Sequence, residues 1–501
     1  MRRDGVVRLR DILGLRSRKN AKLIAAIHRT GLFDAAYYLE NNPDVASAGL
    51  DPALHFAQRG WKEGRRPSPQ FDPALYLEQN PDVARAGANP LLHYAERGRA
   101  EGRRGPLPGG TARSSIRAYG EAWAPLPVFT DPHAPPTLTI VTDSIAPESV
   151  FGGVGTAMVI GAVAARRIGA RLRVATRHVP PDPAALGHVL KANRIKWEGA
   201  TDFVYTPLNG DRPLALGDAD IVLTTSWWTT RSALGSIDPS RILYLLQEDE
   251  RMFYPFGDER LRCAETLSEP ALRTLVNTKM LFDHLAGGPD AIPGLGSRSD
   301  WFEPAFPAIP EPDPQKTARA GKSNFFFYAR PSNPRNLYWR GLEVIDSAMC
   351  LGVLAPEEWS FHFVGGRLPD IELPGGVRPI ISSVLPWADY AKLVSEMDLG
   401  LCLMDTPHPS YPPLDLAAAG AVVVTNTHGS KQSLQNWSRN IIAAPPTVSA
   451  LVDALRRGVA LSKDAKQRAA NFGSNTISRD WESTLSPVLE RILDKVSQGC
   501  S

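Results

Sequence analysis

His408-Pro409-Ser410-Tyr411-Pro412-Pro413-Leu414-Asp415-Leu416-Ala417-Ala418-Ala419-Gly420-Ala421-Val422-Val423-Val424-Thr425-Asn426 is the stretch that decides the fold. Prolines at its front suit the first turn of a helix, where no intrahelical N–H is needed. Gly420 then allows a tight turn. The run that follows is apolar at every position up to Thr425, as expected of a strand covered on both faces rather than one. A helix that turns straight into such a strand is the repeating unit of a parallel sheet.

The same alternation extends outward. Toward the N-terminus of this half, strands are predicted at 324–329, 360–364, 378–381 and 399–403, and toward the C-terminus at 441–443. Helices are predicted at 336–350, 386–396 and 413–419, and the tail from 449 to 496 is mostly helical. Before a proline-broken region at 287–322, a second alternating set gives strands at 137–142, 172–176, 221–225, 242–246 and 272–277, with a glycine-entered helix at 153–168. Two doubly wound α/β domains with a cleft between them are the simplest architecture, and ligands in such sheets bind beyond the carboxyl ends of the strands.

Residues 33–67 and 71–105 repeat one another at a period of 38, gap-free and with about two thirds of positions identical. Asp34 and Asp72 are predicted helix caps, Asn42-Pro43 and Asn80-Pro81 end or turn those helices, and Asp51-Pro52 and Asn89-Pro90 start a second helix that stops near Gly60 and Gly98. Each unit is expected to be a small helical hairpin. The recurring His55 and His93 are read as packing residues of the repeat rather than ligands. The predicted organisation is therefore a basic N-terminus (1–30), an all-α repeat module (31–105), a linker (106–136), two Rossmann-like domains (137–320 and 321–480) and a C-terminal helix (481–501).

A chain of 501 residues with 43% hydrophobic and 22% charged residues is ordinary for a globular protein. No apolar run reaches membrane-spanning length. The four cysteines, Cys263, Cys350, Cys402 and Cys500, have no CxxC spacing, so neither a zinc site nor a disulfide framework is indicated, and a cytoplasmic setting fits. The first 30 residues hold nine Lys or Arg against two Asp while the whole chain is only +3. A basic body for nucleic acid is thus not expected. The basic start is either a solvated tail or a helix lying on anionic lipid, which would place the protein at the inner face of the membrane.

Several motifs fail. Ala320-Gly321-Lys322-Ser323 lacks the glycine a phosphate loop needs at 316, where Lys316 stands, and Gly153-Val154-Gly155 lacks the third glycine of a dinucleotide fingerprint, since Met158 occupies that place. Neither HExxH nor GxSxG occurs. Asp218-Ala219-Asp220 precedes a strand and is read as turn chemistry rather than a metal pair, so no metal ligands are predicted.

Three motifs survive. Phe151-Gly152-Gly153-Val154-Gly155-Thr156 follows a strand and lets backbone approach a ligand at a helix start. Tyr328-Ala329-Arg330-Pro331-Ser332-Asn333-Pro334-Arg335-Asn336 places two arginines beyond a strand, with Asn336 as the expected cap of the next helix. Guanidinium forks match the oxygens of a diphosphate. In the opening stretch, Ser410, Tyr411 and Pro412 form a helix N-terminus whose hydroxyls and N–H groups suit phosphate. One turn into that helix, the Asp415 carboxylate can accept the two hydroxyls of a ribose.

That stretch resembles the donor-site helix of GT-B-type glycosyltransferases, usually E-G-F-G-L-P-x-L-E-A-M-A-x-G-x-P-V-V. Asp415 falls on the second glutamate, which in the family binds ribose. Pro407 falls where the first glutamate, which attends the transferred sugar, is missing. Asp143-Ser144, Phe151 to Val154, Gln247-Glu248-Asp249-Glu250, Arg330-Pro331, Pro334-Arg335-Asn336 and Ser410 to Asp415 together resemble a narrower group, the WsaF-type bacterial rhamnosyltransferases, over roughly residues 138 to 480. The repeats resemble modules found beside such enzymes. The resemblance implies a GT-B-like fold and retaining, metal-free transfer of a sugar. The donor would be a nucleotide sugar, dTDP-rhamnose first, and the acceptor a glycan or lipid-linked oligosaccharide. No cofactor beyond the donor substrate is implied. Arg330, Arg335 and Asp249 are then the catalytic candidates. Gly152, Gly153, Asn336, Ser410, Tyr411, Pro412 and Asp415 join the two arginines in holding the donor, while Asp143, Gly153 and Asp249 face the acceptor. Asp143 or Asp249 is the candidate general base. A nucleotide-sugar epimerase and a catalytically silent glycan-binding protein are the rival readings.

Overall fold

Apolar strands that bury both faces set the architecture. In the computed structural model the first α/β domain contains β1 (Val128–Thr130), β2 (Thr137–Thr142), β3 (Arg171–Thr176), β4 (Thr201–Tyr205), β5 (Leu214–Leu216), β6 (Ile221–Thr224), β7 (Ile242–Leu246), β8 (Arg273–Asn277) and β9 (Ser299–Phe302). The second contains β10 (Ser323–Tyr328), β11 (Trp359–Val364), β12 (Ile380–Ser382), β13 (Leu399–Leu401), β14 (Val422–Asn426) and β15 (Ile441–Ala444). The structure describes residues 20–101, 103, 112–146, 149–150, 152–208, 210, 212–312, 321–366, 368–383 and 385–498.

The first sheet has seven strands in the order β4-β3-β2-β6-β7-β8-β9, and the second has six in the order β12-β11-β10-β13-β14-β15. Every pairing in both is parallel. Counted within each sheet, both begin 3-2-1-4-5-6, the doubly wound order whose strand direction of growth reverses between the first and fourth strands. Separate apolar cores cover the two faces of each sheet. Two Rossmann-like domains are therefore present, as the sequence predicts. Their facing switch points lie at β2/β6 and β10/β13.

Several local expectations change. The stretch expected as a linker up to 136 is only partly one: β1 pairs with β5, and Trp123 packs on Trp227 with ring centroids 5.2 Å apart, so these residues extend the first domain. The C-terminal helix Trp481–Gln498 also belongs to that domain's core, with Trp481 Nε1 donating to Asn193 Oδ1 at 2.8 Å. Asp220 takes N–H groups from Thr137 and Gly217, which is the turn duty expected of it.

Residues before Ala122 form a separate compact unit. Each repeat contains three short helices rather than two, because Pro43 and Pro81 start new helices (Pro43–Ser47 and Pro81–Arg85) instead of ending in loops. Asp34, Asp72, Asp51 and Asn89 cap as predicted. His55 and His93 each meet a tyrosine hydroxyl, Tyr38 at 3.0 Å and Tyr76 at 2.9 Å, so their recurrence is packing. Gly60 and Gly98 are demanded by the same tyrosines: a Cβ there would lie 2.0 and 2.3 Å from the hydroxyl oxygens. Arg65 and Arg103 clamp each unit, reaching Asn42, Asp44 and Glu63, and Asn80, Asp82 and Glu101. The predicted amphipathic stretch at the basic start lies outside the described residues, apart from a helix at 20–29. Among the described residues no helix is long and apolar enough to cross a membrane.

Candidate active site

A cavity of about 430 Å³ lies where the two switch points face each other. The carboxyl ends of β2, β6 and β7 bring Asp143, Ser226, Trp228, Glu248 and Glu250 to one wall. The second domain brings Tyr328, Arg330, Met404, His408 and Tyr411 to the other. A second cavity of about 500 Å³ shares Gly152, Gly153, Tyr328, Arg330, Tyr411 and Pro412 with the first and adds Tyr390, Trp387 and Asp415. Arg330 and Asp415 thus open onto one crevice.

The glycine loop makes close approaches possible. Gly152 has φ +73°, a left-handed value that glycine adopts without strain. A Cβ on Gly153 would come within 2.9 Å of the Gln247 amide, which donates to the Gly153 carbonyl at 2.9 Å. Phe151 lies outside the described residues.

Arg330 is exposed at the mouth, touches Tyr328 Oη at 3.4 Å, and has no carboxylate partner among the described residues. Arg335 does not line either cavity. Its guanidinium lies over the Phe253 ring at 4.0 Å, and its Nη1 stands 3.7 Å from Glu248 Oε2, a gap too long for a hydrogen bond. Burial holds its pKa below the usual arginine value, opposed by Glu248. The expected cap is displaced by three residues: Asn333 accepts from Arg335 N at the turn Pro334–Asn336, and the helix Tyr338–Cys350 begins after Leu337 in a left-handed conformation. Asn336 is instead buried, with its amide turned toward Leu403 O and Met404 Sδ.

The helix Tyr411–Ala418 starts as predicted, but its phosphate-binding capacity is smaller. Ser410 N–H donates to His408 Nδ1 at 3.0 Å, and Pro412 and Pro413 have no N–H, so of the first three helical residues only Tyr411 offers one. The Tyr411 hydroxyl is also engaged across the lobes, accepting from Asn277 Nδ2 at 2.7 Å and sharing a hydrogen with Thr156 Oγ1 at 2.9 Å. Burial pushes it up to about 12. Asp415 accepts from the Tyr390 hydroxyl at 2.9 Å, and burial raises its carboxyl to about 7.

The acidic tetrapeptide is where the expectation fails most clearly. Asp249 points away from the cavity into a buried fork with Arg251, at 2.8 and 2.7 Å, with His284 3.6 Å away. These partners outweigh burial and hold its carboxyl well below the usual range. A carboxylate so paired cannot take a proton near neutral pH or meet an acceptor, so Asp249 is removed as base and acceptor ligand. Its neighbours Glu248 and Glu250 face the cavity. Glu250 accepts from Trp227 N at 2.7 Å, and burial raises it to about 8. Asp143 does line the cavity, holding the Trp228 indole N–H at 2.9 and 3.1 Å, and burial raises its carboxyl. His408 was not singled out by sequence. It is buried with Nε2 unpartnered among the described residues, and burial with Lys431 and Arg335 nearby depresses it to about 3.

Among the described residues no group of His, Cys, Asp and Glu is arranged to hold a metal ion. Residues 137–279 match the family model of the WsaF N-terminal domain, and residues 323–456 match that of the WsaF C-terminal domain. A curated relative, the O-antigen biosynthesis protein RfbC of Myxococcus xanthus, is 28% identical over 283 residues. The match takes in 55% of this chain and 21% of that protein, so the chain spans about a fifth of its length. Among solved structures, Anabaena Alr3699/HepE with UDP and glucose is similar at a TM-score of 0.47 and 14% identity, covering 72% of this chain and 99% of that one. WaaG, a glycosyltransferase of lipopolysaccharide biosynthesis, is similar at 0.46 and 14%, covering 71% and 99%.

Proposed function

We propose, from a chain that carries both the N-terminal and the C-terminal WsaF domain, that it is a glycosyltransferase of cell-surface polysaccharide assembly. It takes a sugar from a nucleoside diphosphate donor, rhamnose on dTDP being the first choice, and passes it to a glycan or lipid-linked oligosaccharide on the cytoplasmic side of the membrane. The observation that carries this reading is the shared crevice of Arg330 and Asp415 between two facing switch points. A guanidinium with no carboxylate partner among the described residues and a carboxylate one helix turn beyond a helix start are complementary to a diphosphate and to a ribose.

In this mechanism Arg330 meets the negative charge that grows on the leaving diphosphate, an electrostatic contribution that is larger in the transition state than in the ground state. Arg335 adds positive potential from behind Glu248 rather than by contact. The Tyr411 N–H and the backbone at Gly152 and Gly153 complete the donor's cradle. Asp415, once ionised, accepts the ribose hydroxyls. Asp143 orients an acceptor hydroxyl on the opposite wall. Transfer proceeds with retention, the departing phosphate receiving the acceptor's proton. Enclosure between the lobes keeps water from competing with the acceptor.

The test is nucleoside diphosphate release from a panel of nucleotide sugars, with and without a glycan acceptor. Acceptor-dependent release supports transfer. Conversion of the donor with no acceptor identifies an epimerase, and glycan binding without release a silent binding protein. Arg330→Ala should lower turnover about tenfold or more, the worth of one charge-assisted hydrogen bond, while circular dichroism stays unchanged. Wild-type turnover in that variant removes Arg330 from the mechanism.

A further inference from the structure

Two polar atoms of residues lining the 430 Å³ cavity make no hydrogen bond of good geometry among the described residues: His408 Nε2, on a side chain 4% exposed, and Glu248 Oε2, beside whose carboxylate the Thr406 hydroxyl lies. A buried polar atom left unpaired is costly and calls for an explanation, of which a ligand is one. The two atoms come from different lobes and differ in character. Because His408 Nδ1 accepts the Ser410 N–H, the imidazole's proton is on Nε2, which is therefore a donor. Its neutrality agrees with a pKa depressed to about 3. Glu248 Oε2 is an acceptor, held 3.7 Å from Arg335 Nη1 without bonding to it.

A donor on one lobe and an acceptor on the other suit hydroxyls, which do both, better than phosphate, which only accepts. Phosphate is further disfavoured because Asp143 and Glu250 share the cavity with Glu248. Apolar surface from Met404, Phe253 and Trp228 lies beside them, against which the C–H edges of a sugar ring can pack. We propose that His408 and Glu248 bind hydroxyls of the transferred sugar, His408 Nε2 donating and Glu248 Oε2 accepting. They thereby do the work of the family's first glutamate, in whose place Pro407 stands. The assignment rests on the glycosyltransferase reading and adds to it the residues that read the sugar.

The decisive variant is His408→Asn, whose side-chain oxygen can still accept from Ser410 N–H while the Nε2 donor is gone. Glu248→Gln keeps shape and removes charge. Each is compared with wild type in two measurements: affinity for the free nucleoside diphosphate, UDP or dTDP, by calorimetry, and kcat/KM for the intact nucleotide sugar. The expected result is diphosphate affinity within about twofold and kcat/KM lower by about tenfold or more. Single-deoxy donors locate the contact. One of them should be poor with wild type and lose nothing more with His408→Asn, as coupling requires. Equal losses in both measurements would mean a structural role and overturn the assignment, as would wild-type kcat/KM in both variants. If wild type releases nucleotide from no donor, the transferase reading itself falls and this assignment with it, an outcome distinct from active wild type with unaffected variants.

Discussion

Replacing Tyr411 by phenylalanine removes one oxygen atom, and the structure says where the loss is felt. That oxygen accepts from Asn277 Nδ2 at 2.7 Å and exchanges a hydrogen bond with Thr156 Oγ1 at 2.9 Å, both from the first lobe. Two intramolecular hydrogen bonds contribute about 1–3 kcal/mol together. Thr156 keeps a second bond, to Gly152 O at 3.0 Å, and Asn277 keeps a weak one to Gln247 at 3.5 Å, so neither is orphaned and the cost belongs near 1–2 kcal/mol. The ring stays packed on Phe306 in either case. Because each lobe has its own two-sided core, the loss falls on the contact between lobes rather than on the folding of either. A shift of that size changes the equilibrium between joined and separated lobes about 5- to 30-fold. Small-angle scattering should show a broader distance distribution for Tyr411→Phe, and KM for the nucleotide sugar should rise by a comparable factor with the thermal midpoint little changed. Combining it with Asn277→Ala gives the cycle: the two changes should be strongly non-additive in KM. Additive effects would refute the latch. So would a loss of free nucleoside diphosphate affinity that is independent of Asn277, because the hydroxyl would then be serving the phosphates.

Asp249→Ala should be a stability variant, not a catalytic one. It strips the partner from the buried Arg251 and should cost about 3–5 kcal/mol, read as a fall in the urea midpoint with kcat of the folded enzyme preserved. Its carboxyl is held below the usual range, so this contribution is fully present above about pH 4, where the unfolded group is ionised, and fades on further acidification. Asp415 has the opposite sign. Raised to about 7, it binds its proton more tightly folded than unfolded, so its stabilising contribution is present below about pH 4 and is lost as pH rises through 7. Donor KM should improve over the same rise, as the ribose-accepting carboxylate forms. Asp415→Asn should flatten both profiles, and a KM that stays pH-independent in wild type would count against the ribose role.

The fold was legible where burial made it so. Strands β2, β7 and β14 are covered on both faces, β7 as an unbroken apolar run and β2 and β14 as largely β-branched runs in which only threonines and a terminal asparagine interrupt the apolar residues. Of the four strands the sequence missed, β1 and β5 form a two-stranded sheet of their own, and β4 and β9 are the two edges of the first sheet, only partly buried and carrying Asp202 and Asp300 among their residues. An edge strand needs no continuous apolar face, so its signal is weak. At the site, the tetrapeptide Gln247 to Glu250 was found, but the carboxylate chosen, Asp249, is the one that turns away from the cavity to Arg251. Which alternate side chains face the cleft after β7 depends on how the chain leaves the strand, and spacing does not encode that. Two other errors had available signals. Asn333 precedes Pro334, the cap-then-proline pattern that Asn336 lacks, and the prolines at 412 and 413 already deny the helix start two N–H groups.

The distribution of charge over the two walls bears on why the site is divided between domains at all. Asp143, Glu248 and Glu250 all come from the first domain, and Arg330 from the second, with Arg335 behind Glu248 and off the cavity wall, although both domains are built on the same strand order. Burial raises the carboxyls of all three acids, and a wall of acids offers a diphosphate no positive partner. Such a wall suits neutral hydroxyls. The arginine side suits the anion but, alone, would hold the leaving group as tightly before reaction as after it. On the proposed reading, joining the lobes brings the bond between sugar and phosphate to the boundary between the two fields, so that charge developing on the phosphate side moves away from the acids and toward Arg330. The gain therefore grows along the reaction instead of being spent in the ground state, which is what differential stabilisation requires. On this account moving a carboxylate to the Arg330 side, as in Ser332→Asp on the second cavity's rim, should depress kcat more than it raises donor KM. The reverse ratio would mean that the arginine side contributes binding alone.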